Sequence, residues 1–501
     1  MTVVVKKIKI REQHENEAQK ISSTFSLGDV ASRVIAARGF KADDDLNKFL
    51  NPSLKEGLPQ PTELKNLDAA CDLIAKTIKD GGGIAIACDF DVDGLSGGSQ
   101  LKAFFDEIGV KCKVFIPDRF EDGYGLNIGM ISKMSEEGYA LLITVDFGTT
   151  NRTELEKARE LGLKTIVVDH HHVGDHNPNA DVFINPHQDG CGFGNKILCA
   201  SALAWYLIVG LKKTLTKEAK LVDPKAYLDL ACLGTICDMV PLIGANRVIA
   251  KRGLELLSVT KRLGLIALKR VAGAKDPVSC HHVSFGIGPR INAAGRMIHG
   301  DIVVELLTTR DEKRAEKIAG RLDRLNKQRQ DTEERIKKRA KMEIERRGAL
   351  PSALVVWDQS YHTGVIGIVA QRMVEAFHRP TVIMGMDKDG VFKGSVRGIP
   401  GFSVIGALSE VGSTLLKFGG HDGAGGLSVA ADRIEEFAEA FQAACQISLS
   451  KINTEPYVLA DTEVGLADIK LPVVKELQSF EPFGVGNASP QLLVRNVEVK
   501  E

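Results

Sequence analysis

From about residue 79 onwards, short apolar segments alternate with amphipathic ones, and this alternation limits the fold more than any other feature of the chain. The predicted strands are GIAIACD, KCKVFIPD, ALLITVD and KTIVVD. The predicted helices between them are SGGSQLKAFFDEIG, NIGMISKMSEEG and RTELEKARELG. Continuous apolar strands are typical of a sheet that is buried on both faces, and helices are the usual connections in a parallel sheet. The pattern therefore predicts an α/β domain with a parallel, doubly wound sheet.

All four predicted strands end in an acidic residue. These residues are Asp89, Asp118, Asp146 and Asp169. In open α/β sheets the ligand crevice lies outside the carboxyl ends of the strands. We therefore expect the acidic side chains to converge on one edge of the sheet.

The first of these residues opens the segment DFDVDG, which places Asp89, Asp91 and Asp93 on alternating positions. An EF-hand calcium loop has this spacing but needs a glutamate at its twelfth position, where this chain has Gln100. A phosphatase of the haloacid dehalogenase type explains the first motif but not the histidines further along. An acidic loop that caps the next helix is the structural alternative, and it leaves three mutually repelling carboxylates unexplained.

A metal cluster is the hypothesis that also explains the segment VVDHHHVGDH. It places Asp169, His170 and His171 at the end of another predicted strand. Asp146 supplies a further carboxylate, and Asp238 is an acid within the apolar stretch LGTICDMVPL. Histidine among carboxylates suits manganese better than calcium or magnesium. Two such ions can clamp a phosphate and activate a water molecule, so the set predicts phosphoester hydrolysis.

The second half of the chain predicts a long helix followed by another α/β segment. Residues 311–347 read as one helix with a narrow apolar stripe formed by Ala315, Ile318, Leu322 and Leu325. Residues 352–448 contain strand and helix patterns and the glycine-rich loop FGGHDGAGG.

Composition excludes several classes of protein and leaves the partner open. Lysine plus arginine equals aspartate plus glutamate at 65 each, so net charge indicates no partner. Nine cysteines without a CxxC pair predict reduced thiols in a cytoplasmic protein. The start of the sequence becomes charged too soon for a signal peptide, and no apolar run reaches the roughly 18 residues of a membrane span.

Taken in order, the motifs resemble those of a known family. DFDVDG, TVDFG, VVDHHH and GTICDMVP are similar to four motifs of the DHH phosphoesterase superfamily, and FGGHDGAGG is similar to the GGH loop of its DHHA1 companion domain. The chain further resembles the bacterial RecJ family of single-strand-specific exonucleases from about residue 25 onwards. The segments that carry this resemblance are FIPDRFEDGYGLN, INPHQDGCGF, GPRINAAGR, YHTGVIGIVAQR, GSVRGIPGF and EPFGVGNASP.

The resemblance implies a fold in several parts. A parallel, doubly wound DHH domain is joined by a long helix to a smaller α/β DHHA1 domain, and a short OB-like segment follows. The implied boundaries are 1–78 for an N-terminal helical segment packing on the DHH domain, 79–305 for DHH, 306–348 for the connecting helix, 349–450 for DHHA1 and 451–501 for the OB-like part. An OB-fold has five strands, so 451–501 can supply only its beginning.

The resemblance also implies roles for the acidic cluster. Asp93, Asp146, His170 and Asp238 would hold one divalent cation, and Asp89, Asp91 and Asp146 the second. His171 would face the scissile phosphate, while Asp169 would orient a histidine. The catalytic set implied in this way is Asp146, Asp169 and His171, and the ions would be two Mn²⁺ or two Mg²⁺.

A second set of residues is implied to contact nucleic acid. Gly419, Gly420 and His421 would cradle a backbone phosphate, and Ser395 with Arg397 would bind a terminal phosphate. The remaining implied contacts are Arg119, Arg290, Asn292, Arg296 and Arg372. For any single arginine the alternative is a surface ion pair.

The function implied is that of a metal-dependent 5′→3′ exonuclease which degrades single-stranded DNA to mononucleotides in DNA repair and recombination. We expect a cytoplasmic monomer that meets single-strand-binding protein and helicases. One alternative is a DHH phosphodiesterase or pyrophosphatase acting on short oligonucleotides or polyphosphate. The other alternative is a non-catalytic DNA-binding scaffold, for which eroded metal ligands would be expected.

Overall fold

The computed structural model describes residues 6–118, 125–174, 176–194, 196–348 and 350–498. The strands are β1 (Lys7–Ile10), β2 (Gly83–Cys88), β3 (Cys112–Phe115), β4 (Tyr139–Val145), β5 (Lys164–Val168), β6 (Val182–Ile184), β7 (Leu354–Asp358), β8 (Thr381–Met386), β9 (Phe392–Arg397), β10 (Lys417–Gly420), β11 (Ala424–Val429), β12 (Tyr457–Ala460), β13 (Thr462–Glu463) and β14 (Leu492–Leu493).

Helices account for most of the remaining chain. The α-helices are α1 (Glu15–Phe25), α2 (Asp29–Ala37), α3 (Asp44–Leu50), α4 (Leu67–Lys79), α5 (Val92–Glu107), α6 (Ile128–Glu136), α7 (Arg152–Glu160), α8 (Ala200–Thr214), α9 (Leu228–Cys237), α10 (Gly244–Ser258), α11 (Leu263–Ala272), α12 (Gly288–Met297), α13 (Asp301–Thr308), α14 (Glu312–Arg346), α15 (Ile366–Phe377), α16 (Val404–Glu410), α17 (Ile434–Leu449) and α18 (Leu471–Gln478). Short 3₁₀ turns cover Pro61–Glu63, Pro224–Tyr227, Gly412–Thr414, Ala431–Arg433 and Leu466–Asp468, and a π-helical turn covers His282–Ile287. Within the described ranges, no helix is both long enough and apolar enough to cross a membrane.

The chain divides into two compact units, each built from two separate stretches of sequence. The larger unit comprises Arg11–Asn326 and Asp461–Glu501, and the smaller unit comprises Met1–Ile10 and Lys327–Ala460. The boundary between the units therefore falls inside α14.

The larger unit contains the parallel sheet that the strand pattern predicts. Its five strands lie in the order β3-β2-β4-β5-β6, and every neighbouring pair is parallel. All six residues of β2 are buried. Ile84 and Ile86 pack in one apolar cluster with α5 and α8, whereas Ala85 and Ala87 pack in another with α6 and α7. Helices thus cover both faces, and the predicted doubly wound architecture is confirmed.

The order of the strands decides which strand ends become neighbours. β2, β4 and β5 are adjacent in the sheet, and they are followed directly by Asp89, Asp146 and Asp169. These three aspartates therefore share the carboxyl edge of the sheet. Asp118 lies three residues beyond the end of β3.

The smaller unit contains a mixed sheet in the order β10-β11-β9-β8-β7. β7 and β8 are parallel, and the other neighbouring pairs are antiparallel. β1 pairs in parallel with β12, so residues from both ends of the chain meet in this unit. The Lys7 Nζ–Glu455 Oε1 ion pair, at 2.7 Å, lies beside that pairing.

The long helix α14 contributes to the core of both units. Ala315, Ile318 and Leu322 of its predicted apolar stripe are buried in the core of the larger unit. Further along, Ile336 and Ile344 are buried in a core of the smaller unit. The helix begins at Glu312, where the Asp311 side chain accepts from the N–H of Arg314 at 3.1 Å, and the separate helix α13 ends at Thr308.

Candidate functional site

The loop that follows β2 holds three carboxylates close to backbone N–H groups. The Asp91 side chain caps α5 by accepting from the N–H of Asp93 at 2.9 Å and of Gly94 at 3.2 Å. Asp89 accepts from the N–H of Phe90 at 2.8 Å. A Cβ on Gly94 would lie 2.6 Å from the backbone N and O atoms of Asp89, so only glycine permits this tight turn. The DFDVDG segment is therefore a helix cap that also gathers carboxylates.

Asp93 is positioned by a helix that starts more than a hundred residues later in the chain. Its two carboxylate oxygens accept from the N–H of Ala200 at 2.7 Å and of Ser201 at 2.9 Å, at the N-terminus of α8. Helix N-termini favour negative charge because their N–H groups have no partner within the helix. Gly234 packs against this carboxylate, since a Cβ there would lie 2.2 Å from Asp93 Oδ1.

His170 lies in the middle of the carboxylates. Its Nε2 atom is 3.2 Å from Asp146 Oδ1, 3.7 Å from Asp238 Oδ2 and 3.9 Å from Asp93 Oδ2. Asp146 adopts a left-handed backbone conformation with a φ of +70°, an uncommon conformation for a residue other than glycine. Asp238 follows directly on the end of α9. The ends of strands β4 and β5 and of helices α5 and α9 thus bring these side chains together, and Asp238 is the member that the strand-end pattern does not predict.

Asp169 orients the second histidine rather than joining the central group. Its Oδ1 atom lies 2.7 Å from His171 Nδ1, and its Oδ2 atom accepts from the Thr149 hydroxyl at 2.6 Å. Although burial works against a charged imidazole, the hydrogen bond and charge of Asp169 raise the pKa of His171 to about 9. Conversely, the bonds from His171 and Thr149 outweigh burial and hold the pKa of Asp169 well below its usual value.

The central carboxylates destabilise one another as anions. Burial, followed by the charges of Asp93 and Asp91, raises the pKa of Asp146 well above its usual value. The same causes raise the pKa of Asp238 to about 8. Burial also raises the pKa of Asp91, together with the charge of Asp93. A cation that compensates the charge of these carboxylates would favour their ionised form.

The side chains form three overlapping groups whose ligand atoms lie within 4.8 Å of one another. These groups are Asp93–His170–Asp238, Asp89–Asp91–Asp146 and Asp146–His170–His171. Since Asp146 and His170 each belong to two groups, the arrangement can serve two neighbouring ions with a shared carboxylate. Oxygen donors mixed with imidazole fit a divalent ion such as Mn²⁺, so the donor set agrees with the metal hypothesis.

Helix α12 supports the aspartate loop from outside the cluster. The Asn292 amide oxygen accepts from the N–H of Val92 at 3.1 Å. Arg290 is engaged within the fold: it pairs with Asp323 at 2.7 Å and donates to the carbonyl oxygens of Gly286 and Val271. Arg296 lies on the same helix, while Arg119 lies outside the described residues. The geometry thus gives Asn292 and Arg290 positioning contacts, and their predicted contacts with nucleic acid remain predictions.

In the smaller unit, Ser395 and Arg397 form a compact polar site on β9. Arg397 donates to the Ser395 hydroxyl at 2.9 Å and to the Val396 carbonyl at 2.8 Å. Partial burial lowers the pKa of Arg397, whose hydrogen bonds within the described ranges go to the Ser395 hydroxyl and the Val396 carbonyl rather than to a carboxylate. A Cβ on Gly367 would lie only 3.1 Å from the guanidinium of Arg397. A half-buried guanidinium without a carboxylate partner beside a hydroxyl is well suited to a phosphate.

The glycine loop lies beside that site in the same sheet. Gly419 on β10 is level with Gly426 on β11, which in turn is level with Ser395 on β9. Gly420 needs to be glycine, because its φ is +146° and a Cβ would lie 2.4 Å from the Ala424 carbonyl oxygen. His421 accepts from the N–H of Gly423 through Nδ1 at 3.1 Å.

Arg372 on α15 has the contacts of a surface ion pair. It lies 3.0 Å from Glu375 and 3.5 Å from Glu333, and its side chain is half exposed. This geometry matches the alternative given above for any single arginine, which is a surface ion pair.

Three supporting residues did not emerge from the sequence. Thr149 donates to Asp169, and Asn185 donates to Thr149 at 3.2 Å and to the His171 carbonyl at 2.8 Å. Gly367 leaves room beside Arg397. The segment TVDFGTT contains Thr149 close to a predicted strand end, which was the available signal, whereas Asn185 in INPH follows no predicted strand.

Comparison with known protein families matches most of the described chain to three domain models. The DHH family, N-terminal domain, matches residues 83–235, the DHHA1 domain matches 350–446, and the RecJ OB domain matches 460–501.

Curated relatives and a solved structure match nearly the whole chain. The single-stranded-DNA-specific exonuclease RecJ of Dickeya dadantii is 33% identical over 93% of this chain and 83% of its own length. The protein of that name from Bacillus subtilis is 32% identical over 98% of this chain, which spans 62% of the relative's length. The crystal structure of RecJ from Thermus thermophilus in complex with Mn²⁺ superposes with a TM-score of 0.84 at 29% identity, covering 97% of this chain and 69% of the other.

Proposed function

The chain belongs to the RecJ family, and from this premise we propose that it is a metal-dependent 5′→3′ exonuclease that degrades single-stranded DNA to mononucleotides. The observation that carries the proposal is the set of overlapping donor groups at the sheet edge, in which Asp146 and His170 are each shared. A non-catalytic scaffold has no use for such a set, since buried like charges cost stability.

Under this proposal the central side chains hold two divalent cations. Asp93, His170 and Asp238 would hold one, Asp89 and Asp91 would hold the other, and Asp146 would contribute to both. When bound, such a pair supplies a clamp for the phosphate and a nucleophilic water near neutral pH. Relatives crystallised with Mn²⁺ and with Mg²⁺ support both ions for this chain, and the histidine donor favours Mn²⁺.

His171 is the proton donor of the proposed reaction. Asp169 Oδ1 lies 2.7 Å from its Nδ1 atom, and the hydrogen bond and charge of Asp169 favour the protonated imidazolium. Water oxygen forms the new bond to phosphorus and gives up one proton to solvent, while the bond from phosphorus to the 3′ oxygen breaks. The proton of His171 then goes to that leaving oxygen, and the next nucleotide becomes the new 5′ end.

We assign recognition of the 5′ end of the strand, and hence the direction of digestion, to the smaller unit. Arg397 and Ser395 bind a 5′-terminal phosphate, and the loop of Gly419, Gly420 and His421 binds a backbone phosphate. The support for this assignment is the half-buried guanidinium of Arg397, which has no carboxylate partner in the described ranges, and the register that sets the glycine loop level with Ser395.

The setting of the enzyme follows from the same premise. We place it in the cytoplasm, which the nine free cysteines support. We further propose that it works as a monomer in DNA repair and recombination, on strands delivered by helicases and coated by single-strand-binding protein.

End-labelled strands test the proposal directly. Single-stranded oligonucleotides that carry a label at the 5′ or the 3′ end are digested with Mn²⁺, with and without a 5′ phosphate. We expect the 5′ label to appear first as a mononucleotide and the 5′ phosphate to accelerate its release. Release of the 3′ label first would overturn the polarity. Turnover of dinucleotides but not of long strands would instead support a small-substrate phosphodiesterase.

A further inference from the structure

The larger unit contains a cavity of about 750 Å³ that begins beside the carboxylate cluster. Cys237 and Met239, which flank Asp238 in the chain, both line it. Asn292 also lines it while holding the backbone of Val92 in the aspartate loop. The cavity is therefore continuous with the elements that position the proposed metal ligands.

Aromatic surface is exposed at this cavity. The Phe285 side chain is 69% exposed, although it belongs to a helical turn that packs against the core of the larger unit. Its ring lies against that of His281, with centroids 4.9 Å apart and planes 35° apart. Met239 is likewise 69% exposed and has a φ of +58°, which is rare for a residue other than glycine. Large apolar side chains left in water beside a polar site indicate a surface that a ligand covers.

The helix that carries Phe285 is widened at this point. Residues His282–Ile287 form a π-helical turn, in which the N–H of Gly288 donates to the carbonyl of Val283 five residues earlier. Such turns are rare and occur often at functional sites.

The polar lining argues against a phosphate and for a nucleobase. Glu255 and Glu481 face the cavity with Lys251, so the lining has more negative than positive charge and would repel a phosphate. A base combines apolar faces with hydrogen-bonding edges, which matches aromatic and apolar walls with a few polar groups.

We propose that this cavity binds an unstacked base of the single strand, with Phe285 as the stacking platform. The inference rests on the proposed function, since the strand whose phosphate lies at Asp238 is the one whose base can reach the cavity. The site would hold the strand in register without regard to sequence, because every base has an aromatic face.

A scan with abasic nucleotides tests the inference. A series of 5′-phosphorylated oligonucleotides carries one tetrahydrofuran abasic site at successive positions, and initial digestion rates are measured at subsaturating substrate with Mn²⁺. We expect the rate to fall about 5- to 100-fold when the abasic site reaches one or two particular positions, the range that loss of one base stack produces. In Phe285→Ala this dip should disappear, while Phe285→Trp should retain it.

Leu221→Ala is the matched control, because Leu221 is 91% exposed in the same unit and does not line the cavity. Its scan should show the same dip as the unaltered protein. A flat scan for the unaltered protein, or a dip that persists in Phe285→Ala, would overturn the inference while leaving the exonuclease itself in place. Failure to digest the intact strand would count against the proposed function instead. If Phe285→Ala does not melt cooperatively, Phe285→Leu, which keeps an apolar side chain but loses the aromatic ring, provides the same test.

Discussion

At the scale of single residues, the hydrogen bonds that orient the carboxylates of the cluster do not compensate their charge. Backbone N–H groups hold Asp91 and Asp93 in place, and Thr149 holds Asp169. These bonds orient the carboxylates, yet the pKa of Asp146 and of Asp238 stays raised because burial and neighbouring anions dominate. The protein thus builds the site at a cost in stability that a bound cation offsets.

Asp146→Asn should remove cleavage with little effect on the fold. Asp146 belongs to two donor groups, so its loss affects both proposed ions, and we expect kcat to fall by at least about 10³-fold, as for residues that act as a unit. Affinity for single strands in EDTA, measured by fluorescence anisotropy, should stay within about threefold. Asp189→Asn, at an exposed acid of the same unit, is the control and should cleave normally. Mononucleotide release by Asp146→Asn at a normal rate would contradict the bridging role.

The metal-free protein should lose stability as the pH rises from about 6.5 to 8. The pKa of Asp238 is raised to about 8, so below that pH the folded protein holds a proton that the unfolded chain has already lost above about 4. The pKa of His171 is raised to about 9, so its folded form keeps a proton that the unfolded chain loses above about 6.5. Both groups therefore make the folded state bind more protons in this window.

Thermal melts in EDTA check that sign. The midpoint should fall by several degrees between pH 6.5 and 8, and the fall should be smaller in Asp238→Asn. Asp238→Asn should also melt above the unaltered protein at pH 8 in EDTA, because one repelling anion is gone. A midpoint that rises with pH in this window would show that the cluster is not destabilised by its charges.

Arg397→Lys tests the terminal phosphate site. Lysine keeps the positive charge but loses the planar fork, so bidentate binding of a phosphate is lost. We expect the rate advantage of a 5′-phosphate over a 5′-hydroxyl strand to shrink by about tenfold or more, in line with a lost bond to a charged group. Arg433→Lys, at an exposed arginine paired with Glu436 in the same unit, should keep the full advantage. An unchanged advantage in Arg397→Lys would move the 5′ phosphate elsewhere.

At the scale of elements, the sequence predicts strands and their ends better than it predicts the hydrogen bonds between elements that hold the site residues in place. β2, β4 and β5 are apolar runs because both faces of a parallel sheet are buried, and this is why Asp89, Asp146 and Asp169 could be placed on one edge. The bonds from the α8 N-terminus to Asp93 join residues more than a hundred positions apart, and no local pattern encodes them. β6, with three residues, is too short to show a pattern.

Two glycine substitutions separate close packing from helix propensity. Gly234→Ala in α9 places a Cβ 2.2 Å from Asp93 Oδ1 and 2.4 Å from Ser201 Cβ, so it should destabilise the larger unit by about 1–3 kcal/mol and abolish cleavage. Gly320→Ala in α14 meets only the flexible end of Arg324 at 3.7 Å, and it should stabilise the protein by up to about 1 kcal/mol with normal activity. Denaturant unfolding and digestion rates measure both effects. Equal stabilities for the two variants would contradict the packing of α9 against the cluster.

At the scale of the whole molecule, two units have separate apolar cores. The carboxylate cluster lies in the larger unit and the Ser395–Arg397 site in the smaller one. Helix α14 places Leu322 in the first core and Ile336 in the second. Each unit can therefore respond to its own ligand.

Calorimetry with and without Mn²⁺ should show this division. We expect two unfolding transitions, of which only that of the larger unit moves upward with Mn²⁺, by an amount equivalent to about 2.7 kcal/mol at a hundredfold excess over Kd. In Asp146→Asn that shift should be largely lost. One transition that moves as a whole would show instead that the two cores unfold together.

The pairing of β1 with β12 has a consequence for how the protein is made. The Lys7–Glu455 contact beside that pair joins residues 448 positions apart. At roughly 5–20 residues per second, a ribosome needs on the order of half a minute to a minute and a half to add the intervening chain. Strand β1 therefore waits without its β12 partner until residues 457–460 have been synthesised.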